Sequence, residues 1–473
     1  MKRVLWILLP VFIIVHGSCS KLVEVAPPVT KLTKDKVYAT DIAAISVVAS
    51  IYSGMSDYFL DFAGNIGTLN LYASLYTDEL SYFKDPLINS NVVAFYTNKL
   101  TSTTFGSEYW AVAYGQIFNC NAALDGISNA QSLTPSVKKQ LLGELKFLRA
   151  FFYYHIVNLY GDAPWVTTTD YSVNSQVART PAIDVLRNIR NDLREARELL
   201  SDQFLDGTLL KPAIKNRYRV STHAAAALLA KVCLMTGDWT EAETAAGDLI
   251  ANTALFKLDT LNGCFLTNTP EAIWQLQTVR SYTPLEDANR FIMPAEGPSN
   301  SYPFFISSML LNSFETGDQR KAKWIDTVRA DNKLYYFPFK YKSKEASADP
   351  KEALTIFRLA DIFLCRAEAR MQQDKLQDAI DDINQVRHRA GLIDLTSMGK
   401  AALKDAILKE RQVEMFTEFG ARFYDMKRLG KIDDLMPAIC QAKGITWDPD
   451  KALFPLSAID IDRNKNLIQN KGY

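Results

Sequence analysis

Apolar residues recur at helical spacing in several long stretches of this chain, most clearly between Pro135 and Tyr160. There Leu141, Leu145, Leu148, Phe152, Ile156 and Leu159 follow at intervals of 4, 3, 4, 4 and 3 residues, which places all six on one side of an α-helix. Thr134 stands at the N-cap position, Pro135 at the first helical position where its missing N–H is no loss, and Gly161 just past the end. The pattern predicts a helix packed along that face. Trp110, Tyr114, Ile117 and Asn121 form a second stripe and predict a helix from about Ser107, and Val37 to Tyr52 is helical as well. Thr180-Pro181 opens a charged helix to about Leu200, predicted to keep one face wet. Residues 53–106, rich in Gly, Asn, Thr and Tyr, show no long period and predict loop with short helices.

Two later segments look like copies of one unit. His223 to Met235 and Trp239 to Ala251 form one predicted helical hairpin around Thr236-Gly237-Asp238, and Ile356 to Gln372 with Leu376 to Ala390 form another. Ala230 and Ala242 lie twelve residues apart, as do Ala367 and Ala379. A small residue on each arm lets two helices approach closely, as in tetratricopeptide units. Between the copies, residues 261–350 hold 7 of the 18 prolines and 14 aromatic residues without a helical period. Ninety such residues do not form a structureless loop in a compact protein, so a packed subregion with a few short strands is expected.

Composition narrows the classes of partner. The 53 Lys+Arg balance 53 Asp+Glu, and no block of five like charges occurs, so there is no field to hold nucleic acid or an anionic membrane. Lys2-Arg3 followed by the apolar run Val4 to Val15 reads as a secretory signal peptide, residues 1–18. The twelve residues of that run, interrupted by Pro10, are too few to span a bilayer core of ~30 Å as a helix. Gly17-Ser18-Cys19 is similar to the lipobox of bacterial lipoproteins, although His16 stands where that motif prefers Leu. Cys19 is therefore the expected lipid attachment, and residues 19–36, with Pro27-Pro28, the tether. The remaining Cys120, Cys233, Cys264, Cys365 and Cys440 show no C-x-x-C spacing and read as buried thiols.

Chemical motifs are sparse. His155, His223 and His388 are isolated in helical stretches, so no metal is expected, and the glycine-rich nucleotide loops and hydrolase elbows are missing, so neither cofactor nor catalytic residue is assigned. A carboxylate pair acting on glycosides stays open at this point, because separation in space is not legible in one chain. The densest charged pattern is Arg411, Glu414, Glu418, Arg422 and Asp425, at spacings of 3, 4, 4 and 3. On a helix over 402–428 these would share one face and pair with one another, opposite an apolar side of Leu408, Met415, Phe416, Phe419 and Phe423, which makes them structural.

Four stretches together resemble the SusD/RagB family of Bacteroidetes surface lipoproteins. The first is Gly143-Glu144-Leu145-Lys146-Phe147-Leu148-Arg149-Ala150 with Leu159-Tyr160-Gly161-Asp162-Ala163-Pro164. The second runs from Phe357-Arg358-Leu359-Ala360-Asp361 through Arg366-Ala367-Glu368-Ala369 to Asn384-Gln385-Val386-Arg387-His388-Arg389-Ala390-Gly391. The third joins Glu410-Arg411-Gln412-Val413-Glu414 to Gly420-Ala421-Arg422-Phe423-Tyr424-Asp425-Met426-Lys427-Arg428. The last pairs Leu453-Phe454-Pro455-Leu456, where Ser457 replaces a second family proline, with Gln469-Asn470-Lys471-Gly472-Tyr473; Asp318-Gln319-Arg320 is similar to a further element.

The resemblance implies a mainly α protein: a scaffold of four tetratricopeptide-like helix pairs carrying a loop-rich, aromatic-rich insert with a few short strands. It divides the chain into an N-terminal helical region 37–260, the insert 261–350 and a C-terminal helical region 351–473. It implies no enzyme but a lipid-anchored protein on the outer face of the outer membrane. There it would capture a nutrient oligomer, a glycan in first place, and deliver it to a SusC-like TonB-dependent transporter. A peptide-binding member of the family, a protein-binding repeat scaffold and a surface glycosidase are the competing readings. Sugars present flat apolar faces ringed by hydroxyls, so exposed aromatic rings in the loop-rich regions are the candidate ligand contacts. Trp324, between Lys323 and Asp326, is the preferred one; Tyr82, Tyr96, Tyr282, Tyr302, Tyr335 and Tyr336 are the others.

Overall fold

A computed structural model of the chain describes residues 37–56, 68–213, 216–278, 285–345, 347 and 351–473. The signal peptide, Cys19, the tether and Tyr282 lie outside the described residues. Helices dominate. The first are α1 (Asp41–Ser56), α2 (Thr68–Tyr76) and α3 (Ser90–Tyr96), then the long pair α4 (Phe105–Asn129) and α5 (Pro135–Tyr160). After the single turn α6 (Tyr171–Asn174) come α7 (Ala182–Leu199), α8 (Thr222–Thr236) and α9 (Trp239–Ala251). Among the described residues the insert holds only short helices, α10 (Glu286–Phe291), α11 (Ser308–Leu311) and α12 (Gln319–Lys323). The chain closes with α13 (Leu359–Gln372), α14 (Leu376–Arg389), α15 (Lys400–Glu414), α16 (Ala421–Arg428), α17 (Ile432–Lys443) and α18 (Ala458–Arg463).

The long helices stack in series, α4 on α5, α5 on α7, α7 on α8, α8 on α9, α9 on α13, and α13 on both α14 and α15. The two hairpins found in the sequence are thus neighbours in space, and Ala230, Ala242, Ala367 and Ala379 are all buried. Close approach also explains Gly143: a Cβ there would stand 2.9 Å from Leu200 Cγ, so α5 and the end of α7 need a glycine between them. The apolar stripe of α5 understates its burial. Glu144, Arg149 and His155 at the margins of the stripe are buried as well, each with a polar partner. Glu144 accepts from Tyr52 Oη at 2.8 Å and from Gln140 Nε2 at 2.9 Å, and Arg149 donates to both oxygens of Asp192 at 2.8 and 2.7 Å. Burial lowers the His155 imidazole to about 3, so it is neutral beside Tyr424.

Among the described residues six short strands pair antiparallel as three ladders: β1 (Leu80–Tyr82) with β3 (Phe304–Ile306), β2 (Ala272–Leu276) with β6 (Leu354–Arg358), and β4 (Ile325–Ala330) with β5 (Lys333–Pro338). Two helical expectations change. The helix expected from Ile356 starts at Leu359, because residues 354–358 pair with β2 and Ile356 and Phe357 bury in that ladder.

The helix expected over 402–428 is broken between Glu414 and Ala421, where Thr417 (φ 54°), Phe419 (φ 48°) and Gly420 (φ 74°) adopt left-handed conformations. The charged column therefore does not pair along one face. Glu414, with no exposed surface, accepts from Arg320 Nη1 at 2.9 Å and also from Arg358 and Arg389. Glu418 accepts from Arg358 Nη2 at 2.8 Å and from Lys340. Arg422 grips Asp78 at 2.8 and 3.0 Å, while Arg411 binds Asp361 at 2.9 Å and, across the break, Asp425 at 2.6 Å. Three guanidiniums hold the Glu414 carboxyl well below the usual range against its burial. Turning the chain is what lets each charge meet a partner from another element.

Candidate functional site

The first pairing between distant parts of the chain brings the two loop-rich regions together. β1 and β3 align Leu80 with Ile306, Ser81 with Phe305 and Tyr82 with Phe304, and Phe83 N–H continues the ladder to Pro303 O at 2.7 Å. Side chains alternate across a strand, so Leu80, Tyr82, Phe304 and Ile306 turn inward and are buried while Ser81 and Phe305 turn outward and are half-exposed. β5 packs beside β3 and sets Tyr335 edge-on to Phe305, with ring centroids 5.4 Å apart. Lys333, two residues earlier on β5, places its ammonium 4.8 Å from the Tyr335 ring and 5.8 Å from Phe305. The result is an outward surface of Ser81, Phe83, Phe305, Tyr335 and Lys333. Tyr302, three residues before Phe305, is half-buried with the Lys344 ammonium 4.3 Å from its ring. Such a surface has the chemistry to stack against a flat ligand and to offer it hydroxyl and ammonium hydrogen bonds.

The candidates named from sequence divide. Tyr335 stands on this surface, and Tyr335 and Tyr302 both lie outside the main apolar core. Tyr82 is buried, its ring edge-on to Tyr96 at 5.0 Å, and Tyr96 and Tyr336 are half-buried with one side packed on the core. Trp324, the preferred candidate, is the clear correction: none of its surface is exposed. Its Nε1 donates to Leu261 O at 2.7 Å, and the cations of Lys340, Arg389 and Arg358 lie 4.9, 5.4 and 5.8 Å from its ring. The polar flanks Lys323 and Asp326 point to solvent at a helix-to-strand junction, while the ring between them turns inward over the buried charge network. Phe305 was not singled out from sequence, since Phe304-Phe305-Ile306 reads as one apolar run. The burial alternation of its partner β1 is the signal that separates it.

Unusual electrostatics lie beneath this surface. Burial pushes the Glu79 carboxyl, next to β1, up to about 7, against the hydrogen bond from Ser74 Oγ at 2.5 Å. It likewise raises Asp287 on α10 to about 7, where Asn70 Nδ2 donates at 2.6 Å. Lys443 is buried and lowered to about 7; it donates to Leu75 O at 2.7 Å and Tyr76 O at 3.0 Å and stands 4.9 Å from the Tyr96 ring. These groups brace α2, the 415–420 turn and the strands from behind. Asn70 also accepts from the Phe419 N–H at 2.7 Å, which fixes one of the left-handed residues.

Comparison with known proteins agrees with the fold. A model described as SusD family matches residues 316–473, and one described as starch-binding, associating with the outer membrane, matches residues 32–234. A SusD-like protein of Formosa agariphila is 28% identical, with 78% of this chain and 80% of that protein covered. The starch-binding protein SusD of Bacteroides thetaiotaomicron is 30% identical over 26% of this chain and 22% of its own. Among solved structures, a SusD superfamily protein from Bacteroides vulgatus superposes with a TM-score of 0.78 at 20% identity, covering 92% of this chain and 99% of the other. Surface glycan-binding protein A from Bacteroides thetaiotaomicron, in complex with laminarihexaose, gives 0.75 at 18% identity, covering 91% and 99%. At such identities the solved structures speak for the fold alone. Two family models on the helical regions at either end, the relatives' names and the shared fold converge: the chain belongs to the SusD/RagB family.

Proposed function

We propose that this protein is a non-catalytic surface lipoprotein that captures an oligosaccharide on the β1–β3–β5 face and delivers it to a SusC-like TonB-dependent transporter of the outer membrane. What carries this is the Phe305–Tyr335 pair: two rings from different strands held edge-on at 5.4 Å, half-exposed and outside the core. Such rings stack on the apolar faces of sugars, and Ser81 and Lys333 beside them are placed to meet hydroxyls. Family membership supports the substrate class, since one relative is named a starch-binding protein; a protein that shares the fold was solved with laminarihexaose. The second family description supports association with the outer membrane. In this reading Cys19 carries the lipid, residues 19–36 are the tether, and residues 261–350 are the ligand-facing insert on a helical frame.

Calorimetric titration with neutral oligosaccharides tests the ligand site. Phe305→Ala with Tyr335→Ala should weaken the affinity of any glycan that binds by about fivefold or more, as two stacking contacts of ~0.5–1.5 kcal/mol each imply. Unchanged affinity would remove the face from consideration, and release of reducing sugar on incubation would turn the reading towards a glycosidase. Cys19→Ala should move the protein from the membrane fraction to the medium, and unaltered fractionation would sink the anchor. Co-purification with a transporter from detergent extracts, present for the native protein, tests delivery.

A further inference from the structure

The outward surface of Ser81, Phe83, Phe305, Tyr335 and Lys333 carries a cation without a counter-charge. Lys333 holds its ammonium 4.8 Å from the Tyr335 ring and 5.8 Å from Phe305. In the β4–β5 ladder its cross-strand partner is Ala330 and that of Tyr335 is Val328, so neither position supplies an acid. Two carboxylates stand on nearby turns: Asp331 in the hairpin turn, and Glu296 next to Gly297, which lies against Ala330. Both are exposed, and neither forms an ion pair with Lys333 among the described residues. A second such ammonium belongs to Lys344, 4.3 Å from the Tyr302 ring, with Ile292 O at 2.6 Å as its hydrogen-bond partner. Burial lowers it below its ordinary range with no carboxylate to offset the shift. Tyr302 and Phe305 are three residues apart, at most about 11 Å along the chain, so both ammoniums flank one short stretch of backbone. By contrast Lys340, 4.9 Å from Trp324 and 4.0 Å from Phe416, is neutralised by Glu418.

We propose that this face selects acidic glycans: the carboxylate or sulfate of a sugar unit stacked on Tyr335 and Phe305 pairs with Lys333, and Lys344 meets a further anion along the same chain. The inference rests on the β1–β3–β5 face being the ligand site, and it names the class of sugar that the site takes. Covering the face with a neutral ligand would strip water from the Lys333 ammonium and return no counter-charge, and a charge taken out of water unpaired is costly. An anionic group removes that cost and adds a charge-assisted hydrogen bond. A uronate or a sulfate ester has both parts that this arrangement meets, an apolar ring face for the aromatics and a negative charge at its rim for the ammonium.

Calorimetry with the mature chain compares hexamers of galacturonate, of mannuronate and of a sulfated galactan with maltohexaose and laminarihexaose, at low and at high salt. At low salt the best acidic hexamer should bind about tenfold or more tighter than the best neutral one, as one charge-assisted hydrogen bond gained implies, and the margin should shrink as salt screens it. Whichever of the uronates and the sulfated hexamer gains more identifies the anion. Lys333→Gln with Lys344→Gln should bring acidic affinity down to the neutral level, with most of the fall already present in Lys333→Gln alone. Lys333 is exposed, so its change should leave the melting temperature unaltered. A neutral hexamer that binds as tightly as the acidic ones, and loses affinity in Phe305→Ala with Tyr335→Ala, would overturn acidic selection and leave the ligand face standing. Acidic preference that survives the double lysine change would overturn the assignment to these cations. Binding indifferent to Phe305 and Tyr335, or no binding at all, removes the ligand face itself and this inference with it.

Discussion

Trp324 and Tyr335 belong to the same insert and each has a lysine ammonium close to its ring, Lys340 at 4.9 Å and Lys333 at 4.8 Å, yet their surroundings differ completely. Around Trp324 two arginines join the lysine, and Glu271, Glu414 and Glu418 bind those cations, so the ring is sealed with the network it covers. Around Tyr335 a single lysine and Phe305 leave ring surface open. Ring and cation are the same pairing in both places. What separates a sealed aromatic from one with a face left open to a ligand is whether carboxylates and neighbouring elements close over it.

The largest effect expected from breaking this contrast is in the buried network. Glu414→Ala leaves Arg320, Arg358 and Arg389 without their common acceptor, and removal of one partner from a buried ion cluster costs roughly 3–5 kcal/mol. Urea unfolding should show that loss, or no folded protein should be recovered; a loss under about 1 kcal/mol would mean that the guanidiniums find other partners. Trp324→Ala comes next, at roughly 3–5 kcal/mol for a fully buried ring, measured by thermal melting. The fraction that folds should keep its glycan affinity, and selective loss of affinity would return Trp324 to the binding surface.

A third effect sharpens what lies between core and surface. The Glu79 carboxyl is raised from an ordinary 4.5 to about 7 in the fold, so between those values the folded chain holds a proton that the unfolded chain has released. Stability from this group therefore falls as pH rises across that window and levels off above it. Glu79→Gln should remove that slope, on the order of 1–3 kcal/mol over the window, read from urea midpoints against pH. An unaltered slope would show that Glu79 is ionised behind the strands. The smallest stability change belongs to Phe305→Ala with Tyr335→Ala, within about 1 kcal/mol for half-exposed rings, although binding drops about tenfold. A large fall in melting temperature in that variant would place the pair in the core.

Much of the scaffold was legible because its signals are local. The stripe of α5 with Thr134, Pro135 and Gly161 gave both ends of the helix as they occur. The hairpin arms 222–236 with 239–251 and 376–389 lie where pattern put them. The charged column was misassigned to one continuous helix because spacings of 3 and 4 carry no sign of left-handed residues at Thr417 and Phe419. Those conformations hold only because remote groups support them, Asn70 accepting from the Phe419 N–H and Arg358 and Lys340 binding Glu418.

The sequence by itself determined the class of protein: periodic apolar stripes, paired hairpins, an aromatic insert and four ordered motifs, each a property of neighbouring residues. Tertiary structure alone decided which aromatics face outward. Ser81 and Phe305 share a face because strands 224 residues apart pair in one register, and Trp324 is hidden because cations from β6, α14 and the 339–345 segment gather over it. Exposure depends on what packs against a residue from elsewhere in the chain, and hydrophobic spacing reports only which way a side chain points along its own element.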